Sequence, residues 1–224
     1  MDDPRPRLED VPTEFPVFPL TGALLLPRGR LPLNIFEPRY LAMTEDALAA
    51  GRIFGMIQPD PLLPTGPSGP GLYRIGCLGR LSSFSETDDG RYLVTLTGLL
   101  RFTVVEELAP RRGYRRVRAD LVRFAADLDP AAPMPRFDRP ALLAALRAFF
   151  GRRGFEANWE AIERMPDETL VTTLCMVCPF EPAEQQALLE AETPDDRAAA
   201  LAALLVMDTH APGADSAPAR PRAS

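Results

Sequence analysis

The sequence lacks lysine altogether, since all 25 of its basic residues are arginine. A P-loop, a Schiff-base enzyme and a serine–lysine dyad each need a lysine amine, so these three kinds of site are excluded. Histidine is nearly absent as well, and the single His210 lies beside a tail rich in proline and alanine, a poor place for a rigidly held general base. Histidine-based triads and histidine-rich metal sites are therefore not expected either, so the composition excludes many classes of enzyme.

Cysteine, export signals and excess positive charge are also scarce. The three cysteines, Cys77, Cys175 and Cys178, make no disulfide framework in a chain of 224 residues and fit a reducing compartment. No apolar run approaches the length that crosses a bilayer, and the first residues lack the apolar stretch of a signal peptide, so the expected location is the cytoplasm. A net charge of -6 argues against a generic nucleic-acid binder.

Proline is abundant in the most informative segment, residues 15–40, which holds five prolines among apolar residues. It contains Phe-Pro-Val-Phe-Pro-Leu, then Leu-Leu-Leu-Pro, then Leu-Pro-Leu-Asn-Ile-Phe-Glu-Pro-Arg-Tyr. Proline has no N–H donor and suits strand ends and sheet edges, which predicts two short strands. Glu37 and Pro38 then begin a helix, because proline is favoured at the first helical position and a carboxylate meets the helix dipole there.

The remaining pattern predicts a partly closed β-barrel followed by helices. Residues 15–124 are mostly strand-like, with a proline- and glycine-rich loop at 59–71 and a hairpin turn at 88–90. Four prolines around residues 127–140 mark a boundary, and alanine- and leucine-rich helical segments follow it. We predict the α+β class, with a barrel subdomain at residues 13–127, a helical bundle subdomain at 136–209, and flexible termini at 1–12 and 210–224.

In order and spacing, these segments resemble the substrate-binding, N-terminal domain of Lon proteases. The strand, Leu-Leu-Pro and Phe-Glu-Pro-Arg-Tyr motifs of residues 15–40 occur there in the same order, and Pro179-Phe180 followed by Gln186-Ala-Leu-Leu-Glu190 is similar to its C-terminal bundle. The resemblance spans about residues 14–207 and stops where Lon would continue into its ATPase and protease parts. It implies a PUA-like β pseudo-barrel followed by a C-terminal helical bundle, in a stand-alone substrate-binding domain protein. From this resemblance we predict a non-enzymatic protein without catalytic residues, metal or cofactor.

The resemblance implies that the chain binds polypeptides, either unfolded or degron-bearing ones or a protease partner, in protein quality control or as an adaptor. Leu24 and Leu26, together with Leu62 and Leu63 of the 59–71 loop, offer apolar residues that we expect at the surface. A polypeptide could add a strand to a barrel edge or lie in a groove between barrel and bundle. Tyr40 could add a flat contact. The alternative, that the leucines cover the core and Tyr40 packs beneath the helix, stays open.

Five further residues match motifs of the same family and are interpreted as structural: Glu37, Pro38, Arg39, Gly98 and Arg101. Glu37 and Arg39 would fix the helix start onto the barrel. Gly98 indicates a bulge or the close approach of another backbone. Arg101 is expected to form a buried ion pair with Glu37 or another acid rather than to face a groove.

The alternative function is RNA binding. PUA-type barrels can bind RNA, and one edge carries a basic cluster that includes Tyr114 and five arginines: Arg111, Arg112, Arg115, Arg116 and Arg118. We favour a solvated edge that resists aggregation, because the chain is acidic and no series of stacking aromatics is evident.

Two other patterns are weaker. Cys175 and Cys178 have redox or metal spacing, but no second pair completes a metal site, so we interpret them as core residues. A hydrolase using carboxylates such as Glu37, Glu86 or Asp88 is not supported by their spacing.

Overall fold

The computed structural model describes residues 6–132 and 134–210 and has the predicted α+β class. Six strands form its sheet: β1 (Glu14–Pro19), β2 (Arg30–Ile35), β3 (Ile53–Ile57), β4 (Ile75–Glu86), β5 (Tyr92–Arg111) and β6 (Tyr114–Asp120). The α-helices of the described part are α1 (Pro38–Ala49), α2 (Arg139–Arg153), α3 (Trp159–Arg164), α4 (Asp167–Val177), α5 (Pro182–Glu190) and α6 (Pro194–His210). Two 3-10 helices cover Leu8–Asp10 and Val122–Leu128.

The sheet closes on itself because β5 is 20 residues long. The strand order is β2-β5-β4-β3-β1-β6, and β5 also pairs with β6. The first half of β5 pairs with β2 and β4, whereas residues 103–111 pair with β6. β1 and β3 are parallel and the other pairs antiparallel. The closed ring therefore comprises β1, β3, β4, β5 and β6, and β2 extends from it as an edge strand.

Side chains that alternate along the strands fill the inside of the ring. Phe15, Leu100, Phe102 and Val117 are almost completely buried there. The rings of Phe15 and Phe102 meet edge to face with centroids 5.0 Å apart. A Cβ at Gly76 would lie 2.4 Å from the Phe102 ring, so glycine on the neighbouring strand makes room for this aromatic residue.

The bundle packs against the outer side of the ring. Leu146 of α2, Leu174 of α4 and Leu201 of α6 belong to the same apolar cluster as Ile35 of β2 and Met43 of α1. The apolar core thus continues from the helices into the barrel face, and one cluster holds the two parts together. Among the helices that the structure describes, none is both long and apolar enough to cross a membrane.

Two local expectations differ from the structure. The strand predicted to reach Phe124 ends at Asp120, because Phe124 turns inward on a 3-10 helix and its ring contacts Arg101, whose guanidinium carbon lies 4.3 Å from the centroid. The lead-in predicted to be loose is ordered from Leu8 onward, since Val11 is buried with the ring interior. The predicted flexibility of residues 1–5 and 211–224 lies outside the described residues.

Candidate polypeptide-binding surface

An apolar groove of about 330 Å³ lies over β2 and the start of α1, and we call it the β2 groove. Glu37 is the one charged residue among its lining residues, all of which the structure describes. The apolar lining includes Leu20, Ala23, Leu31, Leu33, Phe36 and Met176. The groove thus offers an apolar, concave surface of a size that suits side chains of another molecule.

The alternation of β2 explains which side chains at the groove are buried and which are exposed. Leu31, Leu33 and Ile35 point toward the core side, where Ile35 is fully buried. Phe36 follows with the opposite orientation expected of the next position and is 62% exposed. The sequence analysis missed Phe36, although the parity of β2 could have identified it as an exposed aromatic residue.

The bundle supplies one wall of the β2 groove through Met176 of α4. A Cβ at Gly29 would lie 2.3 Å from the Met176 sulfur, so the absence of a side chain at Gly29 allows α4 to approach the start of β2. The β2 groove therefore depends on the relative placement of barrel and bundle. A groove between these two parts is one of the two binding modes predicted from the sequence.

The expectation that Leu24 and Leu26 are exposed is wrong, because they are 2% and 0% exposed. They belong to the core cluster between barrel and bundle. Leu24 and Tyr40 still line the β2 groove, whereas Leu26 does not. Tyr40 is buried against Phe18, with ring centroids 4.1 Å apart, and burial raises the pKa of its hydroxyl.

Leu62 and Leu63 lie in the predicted loop at 59–71 and are 88% and 46% exposed. Neither lines the β2 groove. Leu63 packs on Gly71, where a Cβ would lie 2.3 Å from the Leu63 Cβ. Of the five residues proposed for polypeptide binding, the structure thus brings only Leu24 and Tyr40 together in one groove.

Strand addition at β2 is disfavoured by Pro32. β2 is the edge of the sheet and pairs only with β5. Pro32 lies in the middle of this six-residue strand and has no N–H, so the strand lacks a backbone donor at its centre. Side-chain docking in the groove therefore suits this edge better than an added strand.

The Glu37-Pro38-Arg39 turn contains a local ion pair at the start of α1. Pro38 is the first residue of the helix. Arg39 donates from Nε and Nη2 to Glu37 Oε2 at 3.0 and 2.8 Å, and its guanidinium carbon lies 4.5 Å from the centroid of the Tyr40 ring. Because the Glu37 carboxylate is engaged by Arg39, it is not the partner of Arg101.

Arg101 is buried between the ring and the bundle, and its acid is Asp127. Nε and Nη2 donate to the two Asp127 carboxylate oxygens at 3.0 and 2.9 Å. Nη1 donates to the carbonyls of Leu189 and Ala191, and Nη2 also reaches the Glu192 carbonyl at 3.5 Å. All five N–H groups of Arg101 are thereby used to join β5 to the end of α5.

Gly98 lies where the chain before β2 crosses β5. A Cβ at this position would be 2.0 Å from the Leu26 carbonyl oxygen. The Gly98 N–H donates to the Gly29 carbonyl at 2.8 Å, and the Arg28 N–H donates to the Gly98 carbonyl at 2.9 Å. The close approach also explains why Leu26 is buried.

Two buried glutamines lie at the junction, and no contact of either was predicted from the sequence. Gln58 follows β3 and donates to the Pro182 carbonyl at 3.1 Å and to Gln186 Oε1 at 3.3 Å. Gln186 donates to the Ile75 carbonyl at 3.1 Å. These bonds satisfy both buried amides and connect α5 with β4, so the Gln186 motif of the helical half has a structural role.

Each arginine of the basic edge has an acidic neighbour. Arg115 binds Glu107 through two bonds of 2.7 and 2.6 Å. The other four arginines form six ion pairs: Arg111 with Asp46, Arg112 with Glu45 and Asp46, Arg116 with Glu14, and Arg118 with Glu14 and Glu106. The positive charge of this edge is largely compensated within the protein, which disfavours a phosphate-binding surface.

The three cysteines are buried and unpaired. Burial raises the pKa of Cys175 and of Cys178 to about 12, so both thiols stay protonated at neutral pH. Burial also raises the pKa of Cys77. Protonated, inaccessible thiols are neither nucleophiles nor metal ligands, and in the described part of the chain no cluster of three or more potential metal ligands occurs.

Comparison with known proteins gives the family. The family model of the ATP-dependent protease La (LON) substrate-binding domain matches residues 14–207. Lon protease 2 of Myxococcus xanthus is 29% identical over 114 residues, which are 51% of this chain and 14% of that protein. Lon protease 2 of Sorangium cellulosum is 29% identical over 171 residues, or 74% of this chain and 19% of that protein. The matched region thus spans less than a fifth of either relative.

Two solved structures share the fold. The Lon N-terminal domain protein from Xanthomonas campestris has a TM-score of 0.57 and 22% identity, with 85% of this chain and 97% of that chain covered. The N-terminal domain of the Mycobacterium avium complex Lon protease has a TM-score of 0.55 and 15% identity, with 88% and 98% covered. From its match over residues 14–207, the chain belongs to the Lon substrate-binding domain family.

Proposed function

We propose that the chain is a non-catalytic module that binds apolar segments of unfolded or degron-bearing polypeptides in the β2 groove. The observation that carries the proposal is the exposed Phe36 beside an apolar groove with a single charged lining residue, in a member of a substrate-binding domain family. Phenylalanine and other aromatic residues are enriched at the cores of protein–protein interfaces, where a few well-packed side chains contribute most of the binding free energy. In this role the protein serves protein quality control or acts as an adaptor for a protease partner.

The matched part of the relatives supports a role without catalysis. The family model describes the substrate-binding domain, and the aligned regions are a small fraction of the Lon proteases. The cysteines are buried and take part in packing. The carboxylates of Asp127 and Glu107 are engaged in ion pairs with arginines. A binding module needs no further chemistry.

Fluorescence anisotropy with a permanently unfolded polypeptide, labelled carboxymethylated α-lactalbumin, tests the proposal. We expect saturable binding by the wild-type protein and a loss of about tenfold in affinity for Phe36→Ser, because an exposed aromatic anchor is removed without disturbing the core. Val105→Ser is the matched control, since Val105 is an exposed apolar residue of β5 outside the groove.

Leu62→Ser separates the β2 groove from the 59–71 loop. If Leu62→Ser weakens binding and Phe36→Ser does not, the loop is the site and the groove is not. Absence of binding by the wild-type protein would contradict the proposed function as a whole. A labelled RNA oligonucleotide in the same titration is expected not to bind, since the arginines at the basic edge are paired.

A further inference from the structure

A second cavity, of about 250 Å³, lies at the junction of barrel and bundle, and we call it the junction cavity. The loop before β2, the 3-10 helix after β6, and the first turns of α4 and α6 surround it. Its apolar walls include Pro27, Ala132, Pro135 and Val171. The cavity is smaller than the roughly 300–1,000 Å³ typical of sites for drug-sized ligands, so it suits a single residue-sized group.

Three arginines line the junction cavity, and two of them have carboxylate partners. Arg28 pairs with Glu168, and Arg101 pairs with Asp127. Glu192, the third acid of the wall, is exposed and pairs with an arginine outside the cavity. The paired groups leave the third arginine as an uncompensated positive charge.

That third arginine is Arg197, in the first turns of α6. It is 8% exposed, and its Nε donates to the Leu188 carbonyl at 2.9 Å. Its Nη2 is shielded from solvent and meets no acceptor among the described residues. A guanidinium stays charged in proteins, so Nη2 is an N–H donor of a buried cation that lacks an acceptor.

The surroundings of Arg197 make the lack of an acceptor at Nη2 costly in free energy. Burial and the neighbouring Arg101 both lower the pKa of Arg197, and Asp127, which acts against them, is already engaged by Arg101. Arg101 has no N–H left for a ligand. An unpaired buried charge is costly, and an anion at this place would remove that cost.

We propose that the junction cavity binds a carboxylate that carries a small apolar group, and that this carboxylate is the C-terminus of the bound polypeptide. Arg197 would receive the carboxylate, since it is the wall arginine without an acidic partner. Because its Nη2 is shielded from solvent, the guanidinium must turn toward the cavity to do so. Pro27, Pro135 and Val171 would contact the apolar side chain of the last residue. The inference rests on the proposed function and specifies which part of a polypeptide the chain recognises.

Two versions of one peptide test the inference on the wild-type protein. A fluorescein-labelled decapeptide ending in valine is compared with the same peptide carrying a C-terminal amide, which removes the terminal charge. We expect the amide to bind about tenfold or more weakly, as for the loss of a hydrogen-bonded charged group. A free-acid version ending in aspartate is expected to bind as weakly as the amide, because the cavity walls are apolar.

Two variants locate the effect. Arg197→Gln is expected to bind acid and amide alike, and circular dichroism checks its folding. Because Arg197 is buried, its substitution can disturb folding, and a second variant is needed. Ala132→Trp fills the cavity from its wall without removing a core side chain and is expected to lose the preference for the acid as well. Its matched control is the exposed neighbour Ala131→Trp, which does not line the cavity and should retain the preference for the acid.

The outcomes separate this inference from the proposed function. Equal binding of acid and amide by the wild-type protein, or an acid preference that survives both Arg197→Gln and Ala132→Trp, overturns the inference and leaves polypeptide binding at Phe36 untouched. If free 3-methylbutanoate displaces the peptide at a concentration near the peptide's own Kd, the bound carboxylate is that of a small molecule, and the proposal of a polypeptide C-terminus is overturned. Failure of carboxymethylated α-lactalbumin to bind at all overturns the proposed function instead.

Discussion

The ring and the bundle bury their apolar side chains in different ways. The ring encloses a core of its own around Phe102, and each of its five strands is paired on both sides. The helices share their core with the outer face of the barrel, where Leu146 and Ile35 belong to one cluster. The bundle therefore depends on the junction more than the ring does, and the β2 groove and the junction cavity both lie where the two parts meet.

The largest effect is expected from breaking the junction with Arg101→Met. This change leaves the Asp127 carboxylate, which is 11% exposed, without its guanidinium partner. Loss of one member of a buried pair costs about 3–5 kcal/mol. Urea unfolding followed by circular dichroism measures the free energy of unfolding. Arg123→Met is the control, because Arg123 contacts the same Phe124 ring from an exposed position and should cost less than about 1 kcal/mol. Equal costs for the two variants would refute the junction role of Arg101.

Gly98→Ala is expected to have the next largest effect. The added Cβ would lie 2.0 Å from the Leu26 carbonyl oxygen, so the crossing of β5 must open, at a cost of about 1–3 kcal/mol or more. The same substitution at Gly151 of α2 meets no atom within 4 Å and should stabilise the helix by about 0.5–1 kcal/mol. Thermal unfolding of both variants tests the predicted opposite signs, and a neutral Gly98→Ala would contradict the close approach.

Asp138→Ala is expected to weaken the bundle alone. The Asp138 carboxylate accepts from the Ala141 N–H at 3.0 Å at the start of α2, and loss of such a cap costs about 1 kcal/mol. Hydrogen exchange should speed up in the first turn of α2 and stay unchanged in β5. Asp138→Ser keeps a capping oxygen and should restore most of the protection. Faster exchange in the ring as well would show that the two parts unfold together.

The smallest effect is expected at Asp46, which links α1 to β6. Its Oδ2 accepts from the Tyr114 hydroxyl at 2.6 Å, and this bond, followed by Arg112, lowers the pKa of Asp46 below its ordinary value of 3.8. A lowered folded-state pKa gives stability that is present above the ordinary value and is lost as the pH falls through the folded-state value. Asp46→Asn should therefore flatten the acid side of the stability curve by less than about 1 kcal/mol.

Urea midpoints between pH 2 and 7 check this prediction. Tyr114→Phe removes the largest cause of the lowered pKa and should shift the acid loss of stability toward higher pH. An unchanged acid profile in both variants would contradict the coupling of Asp46 and Tyr114.

Local features of the fold could be predicted from the sequence, because single residues determine them. Pro38 begins α1 as expected, and the hairpin turn before β5 has Gly90 with φ of 78°. The fold class was predicted as well. The end of β6 was not, since Phe124 turns inward to meet Arg101, which is distant in sequence.

Contacts between distant residues decided the parts of the site that the sequence did not reveal. The sequence indicated that Arg101 needs a buried acid but not that the acid is Asp127, 26 residues away. Leu24 and Leu26 look like surface residues until the crossing at Gly98 buries them. The alternation of β2 could have predicted that Phe36 is exposed. For Arg197 there was no indication in the sequence, because the lack of an acceptor at Nη2 depends on the tertiary structure.

Hydrogen–deuterium exchange of the full chain, with and without saturating carboxymethylated α-lactalbumin, tests the central claim most directly. Binding in the β2 groove predicts slower exchange in residues 31–36 and in the last turn of α4 around Met176, with no change in the 59–71 loop or at the basic edge of residues 111–118. Protection confined to that loop or that edge, with residues 31–36 unchanged, would contradict the account.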